Sequence, residues 1–112
     1  MRIEKELMRG AGPAAVLMLL ESGEKYGYEL VQLLDHHSGG VLTMGQSTLY
    51  PLLYNLEAKN WIASRTTQAE NGRPRKYYRL TRKGKSQLAH HRKQWEALAS
   101  AMGKLSTLAS RG

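Results

Sequence analysis

The sequence predicts a mainly α-helical fold with a small β-hairpin and a long C-terminal helix. Three observations predict this class. Apolar residues recur at helical spacing through residues 13–60, an Asn-Gly pair separates two alternating segments near residue 71, and a heptad pattern begins at residue 88. At 112 residues the chain is long enough for one folded unit with a modest core.

The N-terminal part predicts two helices and a lead-in. Residues 3–9 suit a short helical segment, which Gly10 and Gly12 should interrupt. Pro13 suits the first turn of a new, buried helix that ends at Ser22-Gly23. A second helix is predicted over residues 26–37, before a Ser-Gly-Gly stop.

Gln46 or Ser47 precedes the third predicted helix, which runs to about residue 60. Its apolar stripe has the spacing i, i+3, i+4, i+7 and should face the core; the stripe is Leu49, Leu52, Leu53 and Leu56. The same geometry turns Tyr50 and Tyr54 away from the core. Two interpretations stay open, because exposed tyrosines either contact a partner or lie along a neighbouring helix.

A basic hairpin follows, with strands predicted over residues 61–67 and 75–80 and a turn near residues 70–73. Asn71 and Gly72 both tolerate the positive φ of tight hairpin turns. The cations that follow Gly72 are Arg73, Arg75, Lys76 and Arg79. Phosphate of a nucleic acid is the commonest partner of cations held on such a tip, although a solvated charged surface is the alternative.

The charge is unevenly distributed. Residues 1–60 contain five Lys/Arg and seven Asp/Glu, whereas residues 61–112 contain twelve and two, for a net charge of +8. This asymmetry favours a polyanionic partner for one region. The chain has no cysteine, which fits a cytoplasmic location, and its longest apolar run is too short to span a membrane.

The last predicted helix begins near Thr81, a good N-cap. Apolar residues then repeat in an a/d heptad pattern typical of a two-helix seam. The seam packs either on the first helix of the same chain or on a second copy, and the helix length favours the dimer. The predicted dimer residues are Leu88, His91, Trp95, Leu98, Met102 and Leu105.

Three helices followed by a two-stranded hairpin is the order of a winged helix-turn-helix, in which the third helix enters the DNA major groove. We therefore predict a DNA-binding domain over residues 1–80 and a dimerisation helix over residues 81–112. A two-fold dimer would read an inverted repeat in double-stranded DNA. The predicted DNA contacts are Gln46, Ser47, Thr48, Tyr50, Tyr54, Arg73, Arg75 and Lys76.

Several motifs resemble the PadR family of transcriptional regulators. They are Tyr26-Gly27-Tyr28-Glu29-Leu30, Ser47-Thr48-Leu49-Tyr50-Pro51-Leu52-Leu53, Leu56-Glu57, Gly72-Arg73-Pro74-Arg75-Lys76-Tyr77-Tyr78, Leu80-Thr81 and Gly84. The single C-terminal helix is similar to that of the short subfamily. The resemblance implies a homodimeric winged-helix repressor of phenolic-stress, multidrug-efflux or related genes. It places the recognition helix over residues 46–59 and the wing over residues 65–79.

The resemblance also suggests an effector site. In drug-binding short members, a tryptophan of the last helix lines an aromatic slot at the dimer centre, and Trp95 has the matching position. A bulky residue mid-seam would separate the helices and leave room for a flat aromatic molecule. The predicted slot contains Leu7, Ala14, Leu98 and Ala99 beside Trp95. The alternative is that Trp95 only fills the interface.

The sequence shows no pattern for catalysis, a metal or a cofactor. The histidine pairs His36-His37 and His90-His91 are adjacent, and helix neighbours diverge too far to chelate one ion. No nucleophile motif or phosphate loop is present, so we expect no enzyme activity. Two alternatives remain: a sequence-indifferent, chromosome-organising nucleic-acid-binding protein, and an interaction module that docks on an acidic protein.

Overall fold

The computed structural model describes residues 1–68 and 71–111. The elements in chain order are α1 (Lys5–Leu20), β1 (Lys25–Tyr26), α2 (Gly27–His37), α3 (Gln46–Ala58), β2 (Ile62–Gln68), β3 (Pro74–Leu80), α4 (Arg82–Ser106) and α5 (Leu108–Arg111). The predicted class, mainly α with a small wing, is confirmed. Glu70 of the predicted turn and Gly112 of the predicted last helix lie outside the described residues.

The sheet has three antiparallel strands in the order β1-β3-β2, where the sequence predicted a two-stranded hairpin. The extra strand contains only Lys25 and Tyr26, which pair with Tyr78 and Tyr77. Two residues show no alternation, so no sequence pattern could reveal this strand. The alternation predicted for β3 is confirmed, since Tyr78 is buried and Arg79 is exposed.

Helix α1 is continuous, and the predicted interruption at Gly10 and Gly12 is wrong. Packing explains the difference at Gly12, where a Cβ would lie 3.2 Å from Met44 Cε, so the missing side chain lets this loop residue approach the helix. Pro13 has no N–H to donate to the carbonyl of Arg9, so one helical hydrogen bond is missing. Arg9 is exposed, so water can replace this bond.

The core lies where α1, α2 and α3 meet the inner face of the sheet. Leu49, Leu53 and Leu56 of the predicted stripe are at most 1% exposed, and Leu52 packs at the edge of the core. This burial fixes the orientation of α3, so its opposite face is exposed. The core residues from the other elements include Val16, Leu17, Leu20, Leu30, Leu34, Ile62 and Tyr78.

Helix α4 is attached to the winged body at its N-terminal end. The Thr81 side chain caps it as predicted, accepting a hydrogen bond from Gly84 N at 3.0 Å. The backbone N–H of Thr81 donates to the Trp61 carbonyl at 3.1 Å, and Arg92 forms an ion pair with Glu21 at the end of α1. The predicted helix does not continue to the C-terminus, because α4 ends at Ser106 before the short α5.

The longest dimension of the molecule is 64 Å, against 29 and 21 Å for the other two. None of the helices in the described part of the chain combines the length and hydropathy needed to cross a bilayer.

Candidate nucleic-acid interface

Helix α3 presents an uncharged ridge to solvent. The residues opposite its buried stripe are Ser47, Pro51, Tyr54 and Ala58, which follow the spacing i, i+4, i+7, i+11 and are all exposed. Tyr54 is the most prominent, with 74% of its surface exposed. Pro51 has no N–H to donate to the Ser47 carbonyl, so this ridge offers hydroxyl and carbonyl oxygens beside one aromatic ring.

The two flanks of this ridge have different surroundings. On one flank, Tyr50 is 44% exposed and its ring end approaches the start of α2 so closely that a Cβ at Gly27 would lie 2.8 Å from Tyr50 Cε1. Thr48 and Asn55 lie on the other flank, which faces α1 and is also exposed. Tyr50 therefore has a packing contact as well as an exposed face, and its contact with a partner stays a prediction.

Glu57 connects α3 to the wing. Its carboxylate accepts a hydrogen bond from Ser64 Oγ at 2.5 Å and lies 3.5 Å from Lys76 Nζ. Ser64 is on β2 and Lys76 on β3, so one side chain of α3 holds both wing strands. Lys76 is a predicted phosphate contact. Its ammonium lies beside Glu57 while half of its side chain is exposed (50%), so the phosphate contact stays a prediction.

An aromatic stack stiffens the outer face of the sheet. The rings of Tyr26 and Tyr77 meet edge to face at 5.8 Å between centroids. The guanidinium of Arg75 lies 4.8 Å from the Tyr26 ring, and that of Arg65 lies 5.1 Å from the Tyr77 ring. No sequence pattern predicts this stack, because Tyr26 reaches β3 only through the two-residue strand β1.

Ion pairs decide which wing cations stay available. Arg65 is paired with Glu24, and this contact lowers the pKa of the Glu24 carboxyl below its usual value. The Tyr26 ring beside Arg75 carries no negative charge, so it is not a counter-ion. Arg73 and Arg75 form no ion pair within residues 1–68 and 71–111, and both are exposed.

The hairpin tip uses the predicted Asn-Gly turn residues in different ways. Gly72 has a φ of 77°, as the turn signal predicted. The Oδ1 of Asn71 accepts a hydrogen bond from Arg73 N at 3.1 Å. This bond places Arg73 at the tip, directly before Pro74 and strand β3.

The predicted heptad seam is divided between two environments. Leu88 is 3% exposed and belongs to the chain's own core, and the His91 ring packs on Trp61 at 5.8 Å. Both residues therefore pack against the chain's own body, and their place in a dimer seam stays a prediction. The later members project beyond the body: Leu98, Met102 and Leu105 are 46%, 57% and 61% exposed.

The predicted aromatic slot is also only partly available. Leu7 is 60% exposed, Ala99 is exposed, and Trp95 is half-buried. Ala14, in contrast, is 2% exposed, so it does not line an open slot. The adjacent histidine pairs are not chelating sites, and the described residues contain no group of three or more metal-ligating side chains.

An exposed third helix, a basic three-stranded wing and a projecting last helix define a winged helix-turn-helix protein. Residues 16–90 match the model of the transcriptional regulator PadR-like family. The chain is 34% identical over 95 residues to a transcriptional regulator of Mycobacterium tuberculosis, an alignment that covers 85% of each protein.

Two solved structures show the same likeness. The chain matches a PadR family transcriptional regulator from Eggerthella lenta with a TM-score of 0.80 and 37% identity, covering 92% of this chain and 88% of the other. It matches Bacillus subtilis PadR, solved in complex with operator DNA, with a TM-score of 0.68 and 31% identity, covering 71% of this chain and 45% of the other. The protein belongs to the PadR-like family of transcriptional regulators, a family of regulators and not of enzymes.

Proposed function

We propose that the protein is a homodimeric transcriptional repressor that reads an inverted-repeat operator in double-stranded DNA. The observation that carries this proposal is the pairing of an uncharged, exposed ridge on α3 with the unpaired arginines Arg73 and Arg75 on the wing. Hydroxyl, carbonyl and aromatic groups suit base edges and the thymine methyl, whereas arginines suit phosphates. The complex of B. subtilis PadR with operator DNA supports the assignment.

In this proposal the boundary between the DNA-binding domain and the dimerisation helix falls between residues 80 and 81. Residues 1–80 contact DNA: Gln46, Ser47, Thr48, Tyr50 and Tyr54 in the groove, and Arg73 and Arg75 at the backbone beside Lys76, whose charge Glu57 partly balances. Residues 81–112 join two copies through the exposed part of α4. The proposed location of the protein is the cytoplasm, the compartment that contains the DNA.

Selection of random duplex DNA at about 150 mM salt tests sequence reading, because electrostatic binding alone is weakened there. We expect an inverted repeat whose half-sites lie about one helical turn apart. Recovery of no motif, together with strong binding at low salt, would favour sequence-indifferent binding instead.

The wing is tested by salt dependence. Replacing Arg73 and Arg75 by Ala removes two phosphate contacts from each copy, so the slope of log K against log salt should become shallower by about one to two for each bound copy, and by twice that for the dimer. The double variant Lys93→Ala, Lys104→Ala removes the same charge from exposed positions of α4 and should leave the slope unchanged. Equal slopes for both double variants would place the wing outside the interface.

The dimer is tested at the exposed end of α4. Met102→Glu with Leu105→Glu places like charges in the proposed seam, so sedimentation should show a monomer whose thermal unfolding of the winged body is little changed. The Lys93→Ala, Lys104→Ala protein serves again as the control, because residues 93 and 104 lie on the opposite side of α4. A dimer that survives both glutamates would refute this seam.

The aromatic effector remains part of the proposal. The half-buried Trp95 with Leu7, Leu98 and Ala99 would bind a flat aromatic molecule between the two copies. Tryptophan fluorescence of Trp61→Phe protein, titrated with planar drugs, reports on Trp95 alone. Unchanged fluorescence would leave Trp95 as a packing residue.

A further inference from the structure

A groove of about 540 Å³ lies between the N-terminal half of α1 and helix α3. Its size falls within the range of small-molecule sites, which is about 300–1,000 Å³. Most of its floor is apolar and flexible, and consists of Ile3, Met8, Pro13, Met44 and Leu52. Unbranched methionines adapt to the shape of an occupant better than branched residues do.

Gly12 lies at the base of the groove, where its missing side chain lets Met44 and Leu52 pack closely against α1. A Cβ there would lie 3.2 Å from Met44 Cε and 3.3 Å from Leu52 Cδ2, so the two side chains would have to move. This glycine sits inside a helix, where it costs about 1 kcal/mol relative to alanine. The sequence therefore keeps a helix-weakening residue at the point where the apolar floor of the groove packs against α1.

The rim of the groove is cationic and uncompensated. Arg2, Lys5 and Arg9 line it, and no Asp or Glu does. In the described chain these three cations form no ion pair, although Glu4 and Glu6 are close in sequence. Elsewhere in the same residues, Arg65, Lys76 and Arg92 are each paired with a glutamate.

We propose that this groove binds a small amphipathic carboxylate, with its aliphatic body on the methionine-rich floor and its carboxylate at the rim formed by Arg2, Lys5 and Arg9. The apolar floor selects the body by burial, and the unpaired cations select an anion over a neutral molecule of the same shape. A DNA phosphate would satisfy the cations but leave the floor unused. The combination of both surfaces therefore points to an amphipathic ligand.

The site is separate from the aromatic slot at Trp95. Leu7, which is 60% exposed, and Gly12 differ by about 140° around α1 at 100° per residue, so the slot and the groove lie on different sides of the helix. The opposite wall of the groove contains Thr48, Pro51 and Asn55 of α3. A bound carboxylate would thus add negative charge beside the helix that the proposed function assigns to base reading, and should weaken operator binding.

Binding is measured first without DNA, by NMR titration of the full chain with octanoate and with its neutral analogue octanamide. We expect shifts at the amides of Gly12, Thr48 and Asn55, and at least tenfold weaker binding of octanamide. The double variant Lys5→Gln, Arg9→Gln should weaken octanoate binding at least tenfold. Lys93→Gln with Lys104→Gln, which removes the same charge from α4, should not change it.

Three results would overturn the proposal: equal affinities for octanoate and octanamide, shifts centred on Trp95, or unchanged binding in the Lys5→Gln, Arg9→Gln protein. The proposal would also be contradicted if the protein did not bind octanoate and the Lys5→Gln, Arg9→Gln variant bound DNA with a shallower salt slope. The cationic rim would then be a DNA contact. The operator effect rests on the proposed function and is measured separately. Octanoate binding by a protein that fails to bind DNA would leave the groove assignment intact and refute only the regulator.

Discussion

Replacing Gly84 by Ala tests how α4 is joined to the wing. Gly84 lies in the first turn of α4, and a Cβ there would be 1.8 Å from the Trp61 carbonyl oxygen and 2.8 Å from its carbon. A carbon normally approaches a carbonyl oxygen to roughly 3.3 Å. Because the obstacle is backbone, relief requires α4 and the residues before β2 to separate by about 1.5 Å.

The magnitude follows from what this separation breaks. The Trp61 carbonyl accepts hydrogen bonds from Thr81 N and from Thr81 Oγ1, both at 3.1 Å. Loss of two such bonds costs about 2 kcal/mol, and the overpacking costs about 1–3 kcal/mol more. Alanine returns about 1 kcal/mol through its helix propensity. The expected net loss is about 2–4 kcal/mol of unfolding free energy.

Thermal unfolding followed by circular dichroism measures this loss, which should lower the Tm by about 10–20 °C. Gly103→Ala is the matched control on the same helix, since its added Cβ meets no atom within 4 Å and should raise the Tm by a few degrees. A Gly84→Ala protein as stable as Gly103→Ala would refute the reasoning.

Two further predictions concern pH and the recognition helix. Burial, and secondarily the nearby His90 and Lys59, lowers the pKa of His91. As the pH drops, the unfolded chain therefore binds a proton at this histidine before the folded chain does. The unfolding free energy should fall below the ordinary histidine pKa and level off below the pKa of folded His91. Urea unfolding at pH 7 and pH 5 measures this loss of stability, which should be smaller in His91→Gln and unchanged in His36→Gln, a substitution at an exposed histidine. The same loss in both variants would refute the role of His91. Gly27→Ala should push the Tyr50 ring away from α2 and weaken operator binding about three- to tenfold by fluorescence anisotropy, because one interface contact is displaced. Gly10→Ala, whose Cβ meets no atom within 4 Å, should leave operator affinity unchanged, and an equal effect of both would contradict a role for Tyr50.

The elements that could be predicted from sequence are those with a repeating pattern. The leucine stripe of α3 and the Thr81 cap are local signals, and both are confirmed. Strand β1 has two residues and no pattern, so only its pairing with β3 defines it. The continuity of α1 through Gly12 depends on Met44, more than thirty residues away, which a local rule about glycine does not include.

In the candidate site, too, local patterns could be predicted from the sequence whereas contacts between distant residues could not. The heptad pattern of α4 marks one face of a helix but carries no information on where the body of the protein ends, so it could not show that Leu88 is buried and that the His91 ring packs on Trp61. Likewise, the sequence marks Lys76 as a cation but not its distance from Glu57. Both differences arise because a periodic pattern fixes the direction of a side chain and not its partner.

The separation of charge from the α3 ridge has a consequence for the dimer. The ridge of Ser47, Pro51, Tyr54 and Ala58 has no charge, so Arg73 and Arg75 supply the electrostatic affinity in the proposed complex. Two phosphate contacts give a salt slope of about −1.8 for one copy, and two copies on one operator give about −3.6. Between 50 and 200 mM salt, affinity would then fall about 12-fold for a single copy and about 150-fold for the dimer. A slope near the smaller value in a protein that still recovers an inverted repeat would mean that only one wing contacts the backbone at a time.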